Sequence, residues 1–117
     1  MYRLADKQRL LSDQVSKALT ACRDRVCGLY PGAKLILYGS QATGRATSES
    51  DVDLLILLPE PATTIRQRSI RSLLYDVALE QGVVISSIIR HVDTWYSPLC
   101  QAMPLHQAID REGIEIA

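Results

Sequence analysis

The chain has 117 residues, with 13 Lys and Arg against 13 Asp and Glu, and 47% of its residues are hydrophobic. That composition excludes a disordered chain and argues against a protein that holds nucleic acid through a bulk positive field, leaving no strong nucleic-acid signal. With 5% aromatics and no Phe, a base-stacking platform is not expected either.

From Leu4, apolar positions recur at helical steps through Leu11, Val15, Ala18, Leu19, Cys22 and Val26. A first helix is therefore expected over Leu4 to Val26, ended by Gly28 and by Pro31-Gly32. Lys34 to Tyr38 is short, apolar and bounded by glycines, which reads as a buried strand. Gly39 to Ser50 is rich in Gly, Ser, Thr and Ala, with room for a short helix from Gln41. Asp51 to Leu58 is a second strand, stopped by Pro59-Glu60-Pro61.

Ile70, Leu73, Leu74, Val77 and Ala78 give Thr64 to Gln81 helical spacing, with Gly82 as its C-terminal cap. Val83 to Ile89 is a third strand, β-branched except at Ser86 and Ser87. Asp93 is expected to cap a short helix through Trp95 and Tyr96, a pair that either pins the C-terminal segment to the core or, if exposed, marks an interface. Pro104 opens a last helix that runs to Glu112 and is capped by Gly113, and Ile114 to Ile116 alternates as an edge strand. The order predicts one α/β (α+β) domain over residues 1–117, a small mixed sheet of three to four strands with helices mainly on one face.

The longest apolar run, Leu54 to Leu58, is far too short to span a membrane, and the N-terminus lacks the apolar core of a signal peptide. Cys22, Cys27 and Cys100 have no metal-ligand spacing, which fits reduced thiols in a soluble, cytoplasmic protein. His91 and His106 stand far apart, and surface or capping roles are expected for them.

The chemistry concentrates between Leu37 and Ile56. Asp51 and Asp53 are two apart on a strand, so both carboxylates point to one face, where they repel unless neutralised. Taken alone, the pair suits either a solvated strand end or a divalent cation such as Mg²⁺. Gly39-Ser40, between a buried strand and a short helix, favours the second. Gly lets the backbone approach a ligand, and the first amides of a helix are free donors for an anion. Gly39 and Gly44 have the spacing of a P-loop, but Arg45 and Ala46 follow where that motif needs Lys and a hydroxyl, so that reading fails.

An apolar strand, Gly39-Ser40, a gap rich in Gly, Arg and Ser, and then Asp51-Val52-Asp53 together resemble the DNA polymerase beta-like nucleotidyltransferase superfamily. Within it the chain is similar to the minimal nucleotidyltransferases, short proteins that resemble the antitoxin partner of HEPN-domain proteins. The resemblance implies that Gly39 and Ser40 contact the triphosphate of ATP or another nucleoside triphosphate, and that Asp51 and Asp53 ligate Mg²⁺ and carry catalysis. Arg45 would meet phosphate oxygens or remain a solvated surface residue. It also implies transfer of a nucleoside monophosphate to a hydroxyl, on a HEPN-type or other helical partner in a toxin-antitoxin pair, since so short a chain leaves no room for an acceptor domain. Homo- or hetero-oligomers are both compatible with this.

One departure accompanies the match. The family carries a third carboxylate on a later strand, and here that strand offers only Ser86 and Ser87. A hydroxyl of ordinary pKa is a poor base and a weak ligand. The alternative is therefore a catalytically silent member that acts as a binding or nucleotide-sensing subunit. On the helix before that strand, Arg66, Arg68 and Arg71 give a local positive excess, and Asp76 and Glu80 read as a solvated face or as partners of Arg71.

Overall fold

The computed structural model describes all 117 residues, and its layout follows from a strand that is apolar on both sides. This strand, Val52–Leu58, pairs antiparallel with Lys34–Tyr38 and parallel with Ile85–His91. Numbered along the chain, the strands are β1 (Tyr2–Arg3), β2 (Lys34–Tyr38), β3 (Val52–Leu58), β4 (Ile85–His91) and β5 (Ile114–Glu115). They form one mixed sheet in the order β1-β5-β2-β3-β4, which has five strands where three to four were expected.

The helices are α1 (Leu4–Lys7), α2 (Asp13–Leu29), α3 (Ser40–Thr43), α4 (Thr64–Gln81), α5 (Val92–Trp95), α6 (Pro98–Gln101) and α7 (Pro104–Glu112), with a 3₁₀ turn at Gln8–Leu10. The expected first helix is broken. Ser12 takes an extended backbone and its hydroxyl accepts from the Val15 N–H, so the long helix starts at Asp13. Tyr2–Arg3 pairs instead with β5, whose other edge pairs with β2. The tail expected at an edge is thereby an interior strand.

Side chains alternate along β2 and β3, and both faces are covered. Leu35, Leu37, Leu54, Ile56 and Leu58 meet Val15, Leu19, Cys22 and Val26 of α2 and Ile70, Leu74 and Val77 of α4. Ile36, Leu55 and Leu57 face Trp95 and Ile109 on the other side. The two long helices thus share one face, and the short C-terminal helices close the second. No helix is long and apolar enough to cross a membrane.

Several local expectations are corrected here. The N-cap of α5 is His91, with Asp93 in the first turn 3.6 Å from its ring. His106 is 2% exposed, its ring stacked on Trp95 with centroids 4.3 Å apart and its Nε2 3.3 Å from the Asp110 carboxylate one turn on, so stacking and a polar partner together allow its burial. Glu80 pairs with Arg25 of α2 and not with Arg71. The three cysteines are free, and burial pushes the Cys22 thiol up to about 11, which keeps it an inert hydrophobe.

Ile56 is fully buried in the middle of the sheet. Ile56→Ala is expected to lower the unfolding free energy by about 2–5 kcal/mol, read as a fall in the urea midpoint with an unchanged slope.

Candidate functional site

β2 ends at Tyr38, which is directly opposite Asp53 on β3. Gly39 then turns the chain with φ +76° and ψ −156°, a conformation essentially restricted to glycine. A Cβ at this position would collide with Oδ2 of Asp53. The turn and the carboxylate are therefore in contact, although fourteen residues separate them in sequence.

The segment between them is held by its own polar groups. The N–H groups of Ala42 and Thr43 donate to the Gly39 carbonyl at 3.1 and 3.2 Å, forming the single turn of α3. Gly44, at φ +74°, ends that turn. Buried Gln41 donates from Nε2 to the Ser50 carbonyl at 3.4 Å, and the Ser50 hydroxyl accepts from the Thr47 N–H at 2.8 Å. The Val52 N–H donates to the Val84 carbonyl at 2.8 Å, which fixes the start of β3 against the chain leading into β4.

Asp51 is exposed and Asp53 half-buried, and the alternation of β3 sets both on the side of Leu55 and Leu57. Neither belongs to any of the ion pairs of the chain. Burial, and then the charge of Asp51, hold the Asp53 carboxyl above its ordinary range. Burial and then the Asp53 charge push the Tyr38 phenol up in turn. On the other side of β3, Ser86 of β4 is in register with Asp53, and no group of three His, Cys, Asp or Glu side chains converges here or elsewhere.

The structure brings Gly39, Ser40, Asp51 and Asp53 to one end of the sheet. Arg45 is exposed beyond the single turn of α3, where its Nε donates to the Thr43 hydroxyl at 3.1 Å. Two carboxylates without an ion-pair partner fit a hard divalent cation such as Mg²⁺, which takes one or two protein carboxylates and fills its remaining positions from water and phosphate. Sequence reasoning left three contributors unassigned: Tyr38, the Gln41 clamp and the register of Ser86. The first was legible, because a strand ending at Tyr38 that pairs with one starting at Asp51 must set Tyr38 near Asp53. The other two depend on pairings made in three dimensions.

A family model described as Nucleotidyltransferase domain matches residues 19–104. The chain is 38% identical over 82 residues to a bifunctional uridylyltransferase/uridylyl-removing enzyme of Bordetella pertussis, a match that takes in 68% of this chain and 9% of that protein. The enzymes of the same description from Bordetella parapertussis and Bordetella bronchiseptica are each 37% identical over 82 residues. The chain thus spans less than a tenth of the length of the curated relatives it matches. A solved structure described as a toxin-antitoxin with AMP-PNP has a TM-score of 0.59 at 17% identity, covering 91% of this chain and 73% of that one. At that identity the likeness is one of fold.

Two predictions follow from the geometry. Because the Asp53 pKa is raised in the fold, its protonation stabilises the native state, and that stability is lost as pH rises through the raised value. In metal-free protein Asp53→Asn is expected to raise the melting temperature near pH 7 by no more than a few degrees, the group being largely solvated. The gain should shrink as pH is lowered toward the ordinary value of about 3.9. Gly39→Ala is expected to cost about 1–3 kcal/mol from backbone strain and to displace Asp53, so that Asp53→Asn no longer stabilises in that background, as a double-mutant melting series would record.

Proposed function

This chain belongs to the nucleotidyltransferase domain family, and from that premise we propose that it binds ATP or another nucleoside triphosphate with Mg²⁺ and transfers the nucleoside monophosphate to a hydroxyl on a partner protein. The observation that carries the reading is the contact between Gly39 and Asp53, which makes the turn and the carboxylate pair one site. Phosphates held at Gly39 and Ser40 would lie within reach of an ion held by Asp51 and Asp53. Such an ion supplies neutralisation of phosphate charge and lowers the barrier to deprotonating the acceptor. The side chains then act by position. Asp51 and Asp53 fix where the triphosphate sits, and Gly39 keeps the space above Asp53 open. The acceptor oxygen bonds to the α-phosphorus as pyrophosphate leaves, and the proton of the acceptor passes to solvent or to a carboxylate.

A HEPN-type partner, with this chain as antitoxin, fits the family resemblance, and the likeness to a toxin-antitoxin structure with AMP-PNP supports a partner protein and an adenine nucleotide. The uridylyltransferase relatives make UTP the second nucleotide to test. The three free cysteines suit a reducing cytoplasm.

A second reading, a silent binding or nucleotide-sensing subunit, is favoured by one observation: a serine occupies the position in register with Asp53, and no third acid joins the pair. The two readings separate in one assay, in which purified protein is incubated with labelled ATP or UTP, Mg²⁺ and the product of the neighbouring gene. Transfer of label that Asp51→Ala and Asp53→Ala each abolish supports the enzyme. A tight unlabelled complex that survives both substitutions supports the binding subunit. Under the enzymatic reading Ser86→Asp, by supplying a base at the paired position, is expected to raise the transfer rate about a hundredfold.

A further inference from the structure

α4 carries apolar side chains on two faces. Ile70, Leu74 and Val77 are buried in the core, while Ile65, Tyr75 and Leu79 are 81%, 64% and 66% exposed. Ile65, Ser72 and Leu79 follow at intervals of seven with Tyr75 between them, so at about 3.6 residues per turn they form one stripe along the outer surface. Tyr75 and Leu79 are one turn apart and Ile65 lies nearly three turns before Tyr75, so the row carries an apolar group toward each end and a small polar residue, Ser72, at its middle. Arg68 and Asp76 lie about one turn to either side of Ser72, and neither takes part in an ion pair within the chain.

We propose that this stripe is the interface of a homodimer in which α4 of a second copy packs antiparallel across it, centred on Ser72. A two-fold interface must be self-complementary, and this one is. Ile65 comes level with the partner's Leu79 and Arg68 level with the partner's Asp76. The small Ser72 meets its own copy at the crossing, where the helices approach most closely. Charge selects the direction, because a parallel copy would set Arg68 against Arg68 and Asp76 against Asp76. A helix of 18 residues is about 27 Å long, so a single helix pair makes a small contact, and a micromolar dissociation constant is expected. The nucleotide chemistry is not a premise of this dimer.

Sedimentation equilibrium of the full chain over micromolar concentrations, at low and high salt, tests the proposal. The expected result is a reversible monomer–dimer equilibrium that salt weakens. Arg68→Glu or Asp76→Arg alone places like charges across both halves of the interface and should weaken association at least about tenfold. The double exchange should restore it, and Ile65→Ser should also disperse the dimer. All these side chains are exposed, and unchanged circular dichroism and melting would verify that the variants are folded. A monomer at every concentration overturns the proposal. So does a dimer indifferent to both single exchanges, a loss that the double exchange does not repair, or a monomeric chain whose α4 face is covered only by a helical partner protein.

Discussion

The pairing of Tyr38 with Asp53 is the constraint on which the rest depends. β3 is buried on both sides, and the run Leu54 to Leu58 would satisfy a core equally well if it slipped by one residue. Burial alone therefore does not choose which face receives Asp53. The ends of the strands choose. At one end the backbone of Gly39 fits only where no Cβ meets the Asp53 carboxylate, and Gln41 ties α3 to the chain just before Asp51. A slip would bring the wrong residue beneath the glycine and release both. The polar residues around the site thus set the register of an apolar sheet.

That register has an electrostatic cost. It holds two carboxylates at the end of a buried sheet with no Lys or Arg paired to them; burial, and then the Asp51 charge, raises Asp53, and burial, and then the Asp53 charge, raises Tyr38. A chain selected for stability alone would place a base here or replace one acid. Neutralising the pair would relieve that repulsion, which is the chemical reason two carboxylates so placed suit a hard divalent cation. The same local arrangement explains why Ser86 matters. It occupies the position in register with Asp53, where a third acid would deepen the repulsion in the free protein while adding a further oxygen donor beside the pair.

Much of this was legible in the sequence because the signals were local. The span of α4 follows from apolar spacing and Gly82, whose left-handed backbone ends the helix. β2 and β3 follow from short apolar runs between turn residues, and Gly39-Ser40 with Asp51 and Asp53 follow from residue type and period. What remained hidden depends on distant partners. The stripe from Leu4 to Leu11 continues the helical period into α2, yet Ser12 is more favourable as a cap than as an interior residue, and Tyr2–Arg3 gains a ladder with β5 that no window of sequence reveals. The polarity of His106 suggests the surface, but its ring is flat and its neighbour in space is Trp95. The fifth strand and the filled second face both come from the last third of the chain folding back onto the first, a long-range event with no periodic signature.

The two faces of the sheet divide the labour of the molecule. α2 and α4 are packed against Leu54, Ile56 and Leu58, whereas Asp51 and Asp53 share the opposite side of β3 with Leu55 and Leu57. The outer surface of α4 is not remote from the site, however: Tyr75 and Leu79 line one cavity with Ser86 of the edge strand β4, and Ser86 is in register with Asp53. The short helices α5 and α7 pack Trp95 and Ile109 over Leu55 and Leu57 and leave Asp51 exposed and Asp53 half-buried at the start of the strand. The alternation of β3 thus sets its two carboxylates on the face opposite α2 and α4, and the edge strand β4 is where the two faces meet.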